Sequence, residues 1–593
     1  MLEMLKRFFG AYEKNFAPKL WEVVKKQGYN ISCFKRDISG GLTVAVISIP
    51  LSMALAIASG VTPAQGLYTA IVAGFFIALF AGGRYQIGGP TGAFAVLIFT
   101  VIQNYGYNAL LLTMLITGVV LILAGLLKLG TYIKYIPYPV VLGFTGGIGL
   151  LLITTQFQDL IGLQVSGIPV EVLPRWRAYM ANLDKFTAAS VFVALVSFGV
   201  IFFIQLKHPK LPAYLISVVV AVFLVMILSL FGVQIDTIGS RFGGIPHLLP
   251  APKAPEISID LMLKVLPTGL TIAFLAAIES LLCATVADGM SGDNHNPNAE
   301  LIGEGAANII CMFFAGIPAT SAIARTATNL KANAYSPISG MMNAVFIFLF
   351  MLLLSPLAKY IPLACLSAIL TIVGWNMIGF GKMLKVIEGP RGDRYTLLVT
   401  LSLTVLADLN TAISVGFIMA SIIFMHRMSR EIEIETDDAV LENTGGGRDL
   451  SRFLSEDGVM SLRMSGPLFF GAAAQVSSYL KTLPRAPKVL IFRMGYVPVV
   501  DATGANLIVE FVKKLKKHNT KIIFSNIKKQ PRRVLHEAFL KEGITSKDIS
   551  TASTFANALK MTRRYLRTMK AAEQVDENET GEIDGNNKQE ADK

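Results

Sequence analysis

Apolar runs of about 20 residues recur between residues 41 and 427 and then stop. A run of that length crosses a bilayer as an α-helix. The pattern predicts spans near 41–60, 66–82, 91–104, 108–128, 137–157, 187–206 and 211–232. A second set follows near 262–288, 301–315, 319–331, 337–355, 362–379, 394–408 and 410–427. The third span of each set is short and follows a Gly-x-Pro, which predicts a discontinuous helix. Residues 1–36 are polar, amphipathic and basic, a cytoplasmic lead in which Phe8, Phe9 and Trp21 can lie at an interface. They carry no signal-peptide pattern, so the first span is expected to anchor and not to be cleaved.

After residue 428 the pattern changes. Residues 429–456 read as a polar, acid-rich linker, and 457–570 as a small soluble α/β domain. Strand-like Val459–Met464, Lys488–Phe492 and Lys521–Ser525 alternate with helices near 471–482 and 503–517, which argues a mostly parallel sheet. The tail, 571–593, is acidic and Asn-rich, with the composition of a disordered segment.

One stretch occurs twice. Gly41-Leu42-Thr43-Val44-Ala45 reappears as Gly269-Leu270-Thr271-Ile272-Ala273. Gly88-Gly89-Pro90 is matched by Gly316-Ile317-Pro318, and Lys134-Tyr135-Ile136-Pro137 by Lys359-Tyr360-Ile361-Pro362. The offsets are 228, 228 and 225 residues, in one order. We read an internal repeat, about 37–235 and about 260–428 within a transmembrane domain at 37–428. Seven spans separate the copies, an odd number, so the repeats should be inverted. Inverted repeats with interrupted segments in matching positions point to a secondary transporter whose site lies near the midplane. Fourteen spans put both termini on one side. Lys25, Lys26, Lys35 and Arg36 before the first span, with His426, Arg427 and Arg430 at the last, place that side in the cytoplasm.

Composition sharpens the class. Apolar residues make up 53% of the chain and charged residues 16%. The net charge of +13 does not indicate nucleic acid, because the basic residues sit at span ends and in the soluble part. Cys33, Cys283, Cys311 and Cys365 lack paired or metal-like spacing and read as small core residues. No Walker A, Gly-x-Ser-x-Gly or His-Glu-x-x-His pattern occurs, so neither ATP-driven pumping nor an enzyme of those classes is indicated, and no cofactor or metal is implied.

The repeat also locates the candidate chemistry. Gly89, Pro90, Thr91, Gly92, Ala93 and Phe94, and Ala319, Thr320, Ser321, Ala322, Ile323 and Ala324, surround two predicted helix starts. Two such N-termini at mid-membrane would turn free N–H groups and positive dipole ends on one cavity, an anion site without a metal. Arg325, placed near the end of the second half-helix, would add fixed positive charge. Glu279 lies mid-span, where the first copy has Leu51, and suits reversible protonation. No other carboxylate is placed mid-span. Asp288, Asp293, Glu300, Glu304 and Asp408 fall at predicted ends and read as caps or interface groups. His295 lies in a polar loop and reads as solvated. In the soluble domain Thr503 is exposed at a helix start, either as a plain turn or as a possible phosphosite.

These residues resemble one family, the SulP anion transporters, whose animal members are the solute carrier 26 proteins. The likeness runs from about Arg36 to about residue 570. It rests on Asp37-Ile38-Ser39-Gly40-Gly41-Leu42-Thr43, Pro63-Ala64-Gln65-Gly66-Leu67-Tyr68, Gly88-Gly89-Pro90-Thr91, Ala277-Ile278-Glu279-Ser280-Leu281-Leu282 and Asn298-Ala299-Glu300-Leu301. The C-terminal part resembles a STAS domain. The runs Ala277–Gly289 and Ala322–Arg325 are most similar to the bacterial branch that imports C4-dicarboxylates.

The resemblance implies a polytopic α-helical membrane protein with 14 transmembrane segments in a 7+7 inverted repeat of the uracil-permease type. Spans 1–4 and 8–11 would form a core domain, and spans 5–7 and 12–14 a gate. A cytoplasmic α/β STAS domain would follow. Substrate would bind between the third and tenth spans, and the core would move like an elevator. A homodimer in the cell inner membrane is implied, with a cytosolic partner possible through the STAS domain. Sodium-coupled bicarbonate relatives carry Asp at the Glu279 position and a hydroxyl residue at Cys283, so a proton is the better coupling ion here. Motor and chloride-channel relatives carry Gln at Leu51 and Ser at Ala324, which argues against a halide-tuned site. In the STAS loop, Thr503 matches the phosphorylated Ser of anti-sigma antagonists, while Ala502 replaces a second Ser. The expectation is a proton-coupled importer of C4-dicarboxylates (succinate, fumarate, aspartate). A sulfate or bicarbonate carrier of the same design, or an uncoupled anion channel, is the alternative.

Overall fold

The computed structural model describes residues 16–26, 28–132, 137–165, 168–169, 171–209, 211–407, 409–430, 433–436, 458–470, 487–545 and 548–571. Expectations for residues 1–15, the anchor Lys134-Tyr135-Ile136, Asp408, most of the linker, the helix near 471–482 and the tail beyond 571 lie outside the described residues. The chain divides into two compact units, residues 1–420 and 421–593.

In the first unit, α1 (Lys19–Lys26) precedes α2 (Ile31–Ala58), α3 (Pro63–Phe80), β1 (Gly88–Pro90), α4 (Gly92–Tyr105), α5 (Tyr107–Leu126) and α6 (Tyr138–Ile161). Then come α7 (Val172–Ala181), α8 (Ala188–Lys207), α9 (Ala213–Leu230) and the short α10 (Ile238–Phe242). The second half follows as α11 (Ile259–Ser291), α12 (Pro297–Phe313), β2 (Ala319–Ser321), α13 (Ile323–Lys331), α14 (Ile338–Ala358) and α15 (Leu363–Ile378). It closes with α16 (Phe380–Glu388), α17 (Arg391–Leu406) and α18 (Leu409–Arg430). Each of the 14 predicted spans holds a helix. Among the described residues ten helical segments are long and apolar enough to cross a bilayer, α15 and α16 counting as one from Leu363 to Glu388. The other four, α4, α12, α13 and α17, are 14, 17, 9 and 16 residues long. Residues 319–321 are strand and not helix, which corrects the start of the tenth span.

Local chemistry sets the helix ends. The Asn30 side chain accepts from the Cys33 amide at the start of α2. Gly292 ends α11 at φ +74, a left-handed cap that Gly adopts without strain.

The packing separates a core from a gate. In the core, α2 and α3 pack on α14, while α12 packs on α3 and α5, and α11 on α5. In the gate, α6 packs on α15 and α17, and α8 on α9 and α15. Small residues allow the close approaches, as expected where both helices lie in lipid. A Cβ on Gly118 of α5 would meet the Gly305 carbonyl of α12 at 2.7 Å, and one on Gly305 would meet the Gly118 carbonyl at 2.6 Å. In the gate, Gly149 of α6 and Gly374 of α15 oppose one another in the same way.

In the second unit, β3 (Glu433–Thr436), β4 (Val459–Ser465), β5 (Val489–Tyr496), β6 (Lys521–Ser525) and β7 (Ile549–Ala552) form a sheet in that order. The β3–β4 pair is antiparallel and the other three pairs are parallel. Helices α19 (Ala502–Lys516) and α20 (Lys529–Lys541) connect β5 to β6 and β6 to β7. Phe492 and Phe524 stack at 5.2 Å between the rings in the core of this unit.

Candidate functional site: a two-stranded ribbon between half-helices

The Gly-x-Pro repeat marks a ribbon. β1 pairs antiparallel with β2 in the register Gly88 to Ser321, Gly89 to Thr320 and Pro90 to Ala319. Helix α4 leaves one end after its N-cap Thr91, and α13 leaves the other after its N-cap Ala322. The matched caps, 91 and 322, are 231 residues apart. The counterpart of Pro90 is therefore Ser321, not the Pro318 of the sequence motif. The second half carries three more residues between its first helix and its ribbon than the repeat spacing allows for.

Surrounding side chains hold the ribbon. The Asn308 side chain donates to the Ala319 carbonyl and accepts from the Ala319 amide, both at 2.9 Å, as a neighbouring strand would. Thr69 accepts from the Ile317 amide at 2.8 Å, and Thr326 from the Ile87 amide at 3.2 Å.

The first N–H groups of each half-helix have no intrahelical acceptor. In α4 the Thr91 hydroxyl accepts from the Ala93 amide at 3.4 Å. In α13 Ala322 has no side chain that can do so, and the amides of Ile323, Ala324 and Arg325 stay available. Ala324 and Ile323 are exposed, the latter 46%. Gly92, Ala93, Phe94, Ala319, Thr320 and Ser321 are buried.

Arg325 is the third residue of α13, near its start and not its end as its placement in the span suggested. Residues 319–321 were counted as helix in that placement, whereas they form β2. Arg325 is 2% exposed. Its Nη2 donates to the Pro90 carbonyl at 3.0 Å, across the ribbon. Its Nε and Nη1 have no partner among the described residues. A Cβ on Gly89 would collide with Nη1, and Gly89 sits at φ +156, so only Gly fits beneath the guanidinium.

Glu279 lies on α11 and is partly exposed. Its Oε2 accepts from the Thr91 hydroxyl at 3.2 Å, which ties it to the N-cap of α4. One turn later, Cys283 donates to Thr326 of α13 at 3.2 Å. Leu51, the counterpart of Glu279, is partly buried and packs on the cluster that contains Ala319 and Leu370. All four cysteines are free and buried.

Three readings of the carboxylates and their partners change. Glu300 and Glu304 are not caps at a surface: both are fully buried on α12. The helix starts at Pro297, earlier than the apolar run, and its first turns pack under the Gly82–Gly83 turn. Glu300 accepts from the Ser280 hydroxyl and, at 2.9 Å, from the Gly83 amide. Neither oxygen of Glu304 has a hydrogen-bond partner among the described residues. His295 is not simply solvated, because its Nδ1 lies 2.6 Å from Asp288. Asp293 binds Lys19 at 3.0 Å and Arg84 at 3.2 Å. Burial alone would push the Asp293 carboxyl up. The Asn294 amide, Lys19 and Arg84 outweigh that and hold it below the usual carboxylate range.

In the second unit Thr503 is exposed in the first turn of α19. Asp501 caps that helix, accepting from the Gly504 amide at 2.8 Å.

A helical bundle of inverted halves, broken by a ribbon between two half-helices and followed by a small α/β unit, defines a membrane transporter with an additional C-terminal domain. Residues 34–400 match the Sulfate permease family and residues 454–564 the STAS domain. The chain belongs to the sulfate permease family. It is 37% identical to the putative sulfate transporter YvdB of Bacillus subtilis, over 87% of this chain and 95% of that one. It is 30% identical to the bicarbonate transporter BicA of Picosynechococcus, over 79% and 84% of the two chains. The solved transmembrane domain of a cyanobacterial BicA shares 29% identity at a TM-score of 0.58, covering 66% of this chain and 98% of that one. The full structure of SLC26A9 superposes at a TM-score of 0.79 over 97% and 96%, with 16% identity, a likeness of fold. The protein is thus a multi-pass anion transporter with a C-terminal STAS domain.

Proposed function

We propose that the chain takes up a small anion with a proton, by an elevator movement of the core against the gate. The observation that carries this is Arg325: a buried guanidinium with two unpartnered nitrogens, set between two helix N-termini. A buried charge without a partner is costly, and an anion at the ribbon offsets it. The residues that hold the anion are the backbone of Gly89–Phe94 and Ala319–Ala324, with Arg325 acting through its field and through Pro90. Glu279, hydrogen-bonded to Thr91, carries the proton. Leu51 supplies an apolar wall.

Sulfate is the anion we place first, because the relatives named above are sulfate and bicarbonate transporters. The second reading is a C4-dicarboxylate. Exposed Ile323 favours it, since it offers apolar contact to a carbon chain that sulfate lacks. The protein works as a homodimer in the cell inner membrane with both termini in the cytoplasm. The STAS domain regulates transport or binds a cytosolic protein, and Thr503 is its candidate phosphosite.

Uptake into proteoliposomes with a trapped pH dye tests the reading. An inward sulfate gradient should drive proton entry, and E279Q should abolish it. Coupled proton entry that survives E279Q unchanged rejects the role of Glu279. Competition among sulfate, bicarbonate and succinate ranks the substrates. Truncation after residue 430 should leave transport measurable, as a regulatory STAS domain requires.

A further inference from the structure

Beside the ribbon lies a carboxyl group that the proposed coupling does not use. Glu304 is fully buried, and neither of its oxygens has a hydrogen-bond partner among the described residues. It sits one turn before Asn308, whose side chain grips Ala319 of the ribbon. Two hydroxyls lie beside it, Thr320 and Ser280. Both already donate elsewhere, Thr320 to the Ala276 carbonyl and Ser280 to Glu300. A hydroxyl that turned its hydrogen to an ionised Glu304 would give up the partner it has now. A neutral Glu304 owns an O–H and can give it to either hydroxyl oxygen, which still has lone pairs free. The surroundings fit the acid and not the carboxylate.

No cation relieves the site. The ionisable side chains on elements packed against α12 are Tyr68 on α3, Tyr107 on α5, and Asp260, Lys264, Glu279, Cys283 and Asp288 on α11, of which Asp260 and Lys264 are exposed in its first two turns and Asp288 lies in its last turn beside His295. Glu300 and Cys311 lie on α12 itself. The positive groups at its N-terminal end are engaged: Lys19 and Arg84 hold Asp293, and His295 pairs with Asp288. Arg325 lies at the ribbon and bonds to Pro90.

We propose that Glu304 is a second proton-binding group, and that it must be neutral for the ribbon to hold an anion. A negative charge behind Thr320 opposes the field of Arg325 and of both helix N-termini, at the strand residue that pairs with Gly89. At a separation on the order of 10 Å in a medium of effective dielectric about 20, that opposition weakens anion binding on the order of tenfold. Ser280 and Glu300, hydrogen-bonded in line toward the Gly83 turn, give the proton a way in. Glu279 then serves coupling and Glu304 sets affinity. This rests on the anion site proposed above, but not on proton coupling.

The test is the KM for sulfate uptake across a pH series in proteoliposomes of the full chain, with succinate as probe if sulfate is not taken up. In the unaltered protein KM should rise about tenfold toward alkaline pH. E304Q, a fixed neutral mimic, should keep the acid-side KM throughout with kcat unchanged, while E279Q should keep the rise. An E304Q profile that follows the unaltered protein overturns the proposal, as does a KM that never moves with pH. If anion-driven proton entry is absent but E304Q still flattens the profile, the coupling reading fails and the Glu304 site stands. Infrared spectra of the purified protein give a reading free of substrate. A neutral-carboxyl C=O band near neutral pH should vanish in E304Q, and its persistence unchanged overturns the assignment. Should E304Q not fold, E304D must shift that band, and an unmoved band has the same adverse meaning.

Discussion

The two halves of the membrane unit share a backbone plan and divide the chemistry unequally. At matched positions the first half places Leu51, Leu55 and Phe94, and the second places Glu279, Cys283 and Arg325. The half-helix caps differ in the same sense: Thr91 accepts from its helix, while Ala322 cannot. One half supplies apolar wall and a closed helix end. The other supplies charge, the carboxyl group proposed to carry the proton, and open amides. A duplicated scaffold holds two N-termini at one point by symmetry, and asymmetry then tunes the point for its ligand.

The most damaging way to break this division is to remove the charge. R325A should lower uptake by about 10–100-fold, the equivalent of the roughly 1.5–3 kcal/mol of a hydrogen bond to a charged group. R325K should restore only part, since an ammonium lacks the planar fork. Initial rates of uptake, normalised to folded protein by size-exclusion, check both.

Next in size is the support beneath that charge. Gly89 is the residue of the first half that the second half's arginine needs. G89A should displace the guanidinium and strain the backbone, at a cost of about 1–3 kcal/mol. Uptake should fall about tenfold or more while the fold persists. Wild-type uptake in G89A would mean that Arg325 is not held by β1.

Much of this plan is legible in the sequence, for physical reasons. A span must be apolar for about 20 residues, so the long helices stand out. Gly-x-Pro flags the interrupted ones. What stays hidden depends on packing. Glu300 and Glu304 lie in the first turns of α12, where a polar stretch reads as surface, yet the Gly82–Gly83 turn and α11 cover them. Lys19 falls in the basic lead but is 4% exposed, because Asp293 and the Asn294 carbonyl enclose it. Arg325 shifted from helix end to helix start once three residues proved to be strand. A three-residue strand carries no periodicity to read. The second half's extra three residues before the ribbon hid its true register behind a matching Gly-x-Pro.

A smaller change makes the second half resemble the first. A322S should give α13 the side-chain acceptor that Thr91 gives α4. An N-cap hydroxyl is worth about 1 kcal/mol to a helix, and it would occupy an amide of the proposed anion site. Anion affinity should drop about fivefold while thermal stability rises. A drop in stability, or unchanged affinity, would show that those amides do not face the ligand.

The least costly break lies where the halves are clamped at the membrane edge. Asp293, in the second half, binds Lys19 before the first span and Arg84 after the second. Its carboxyl is held below the usual range. A group depressed in this way contributes stability above its unfolded value, near pH 3.9, and loses it as pH falls through the folded value. Asp293 is partly solvated, so the contribution is about 1 kcal/mol or less. Amide exchange over Lys19–Lys26, corrected for intrinsic rates, should show protection of α1 near neutral pH and its loss under strongly acidic conditions. D293N should lower that protection at neutral pH and remove its pH dependence, with ribbon protection unchanged. Equal loss at the ribbon would mean that the clamp and the anion site are one cooperative unit, and that the halves are less separable than their chemistry suggests.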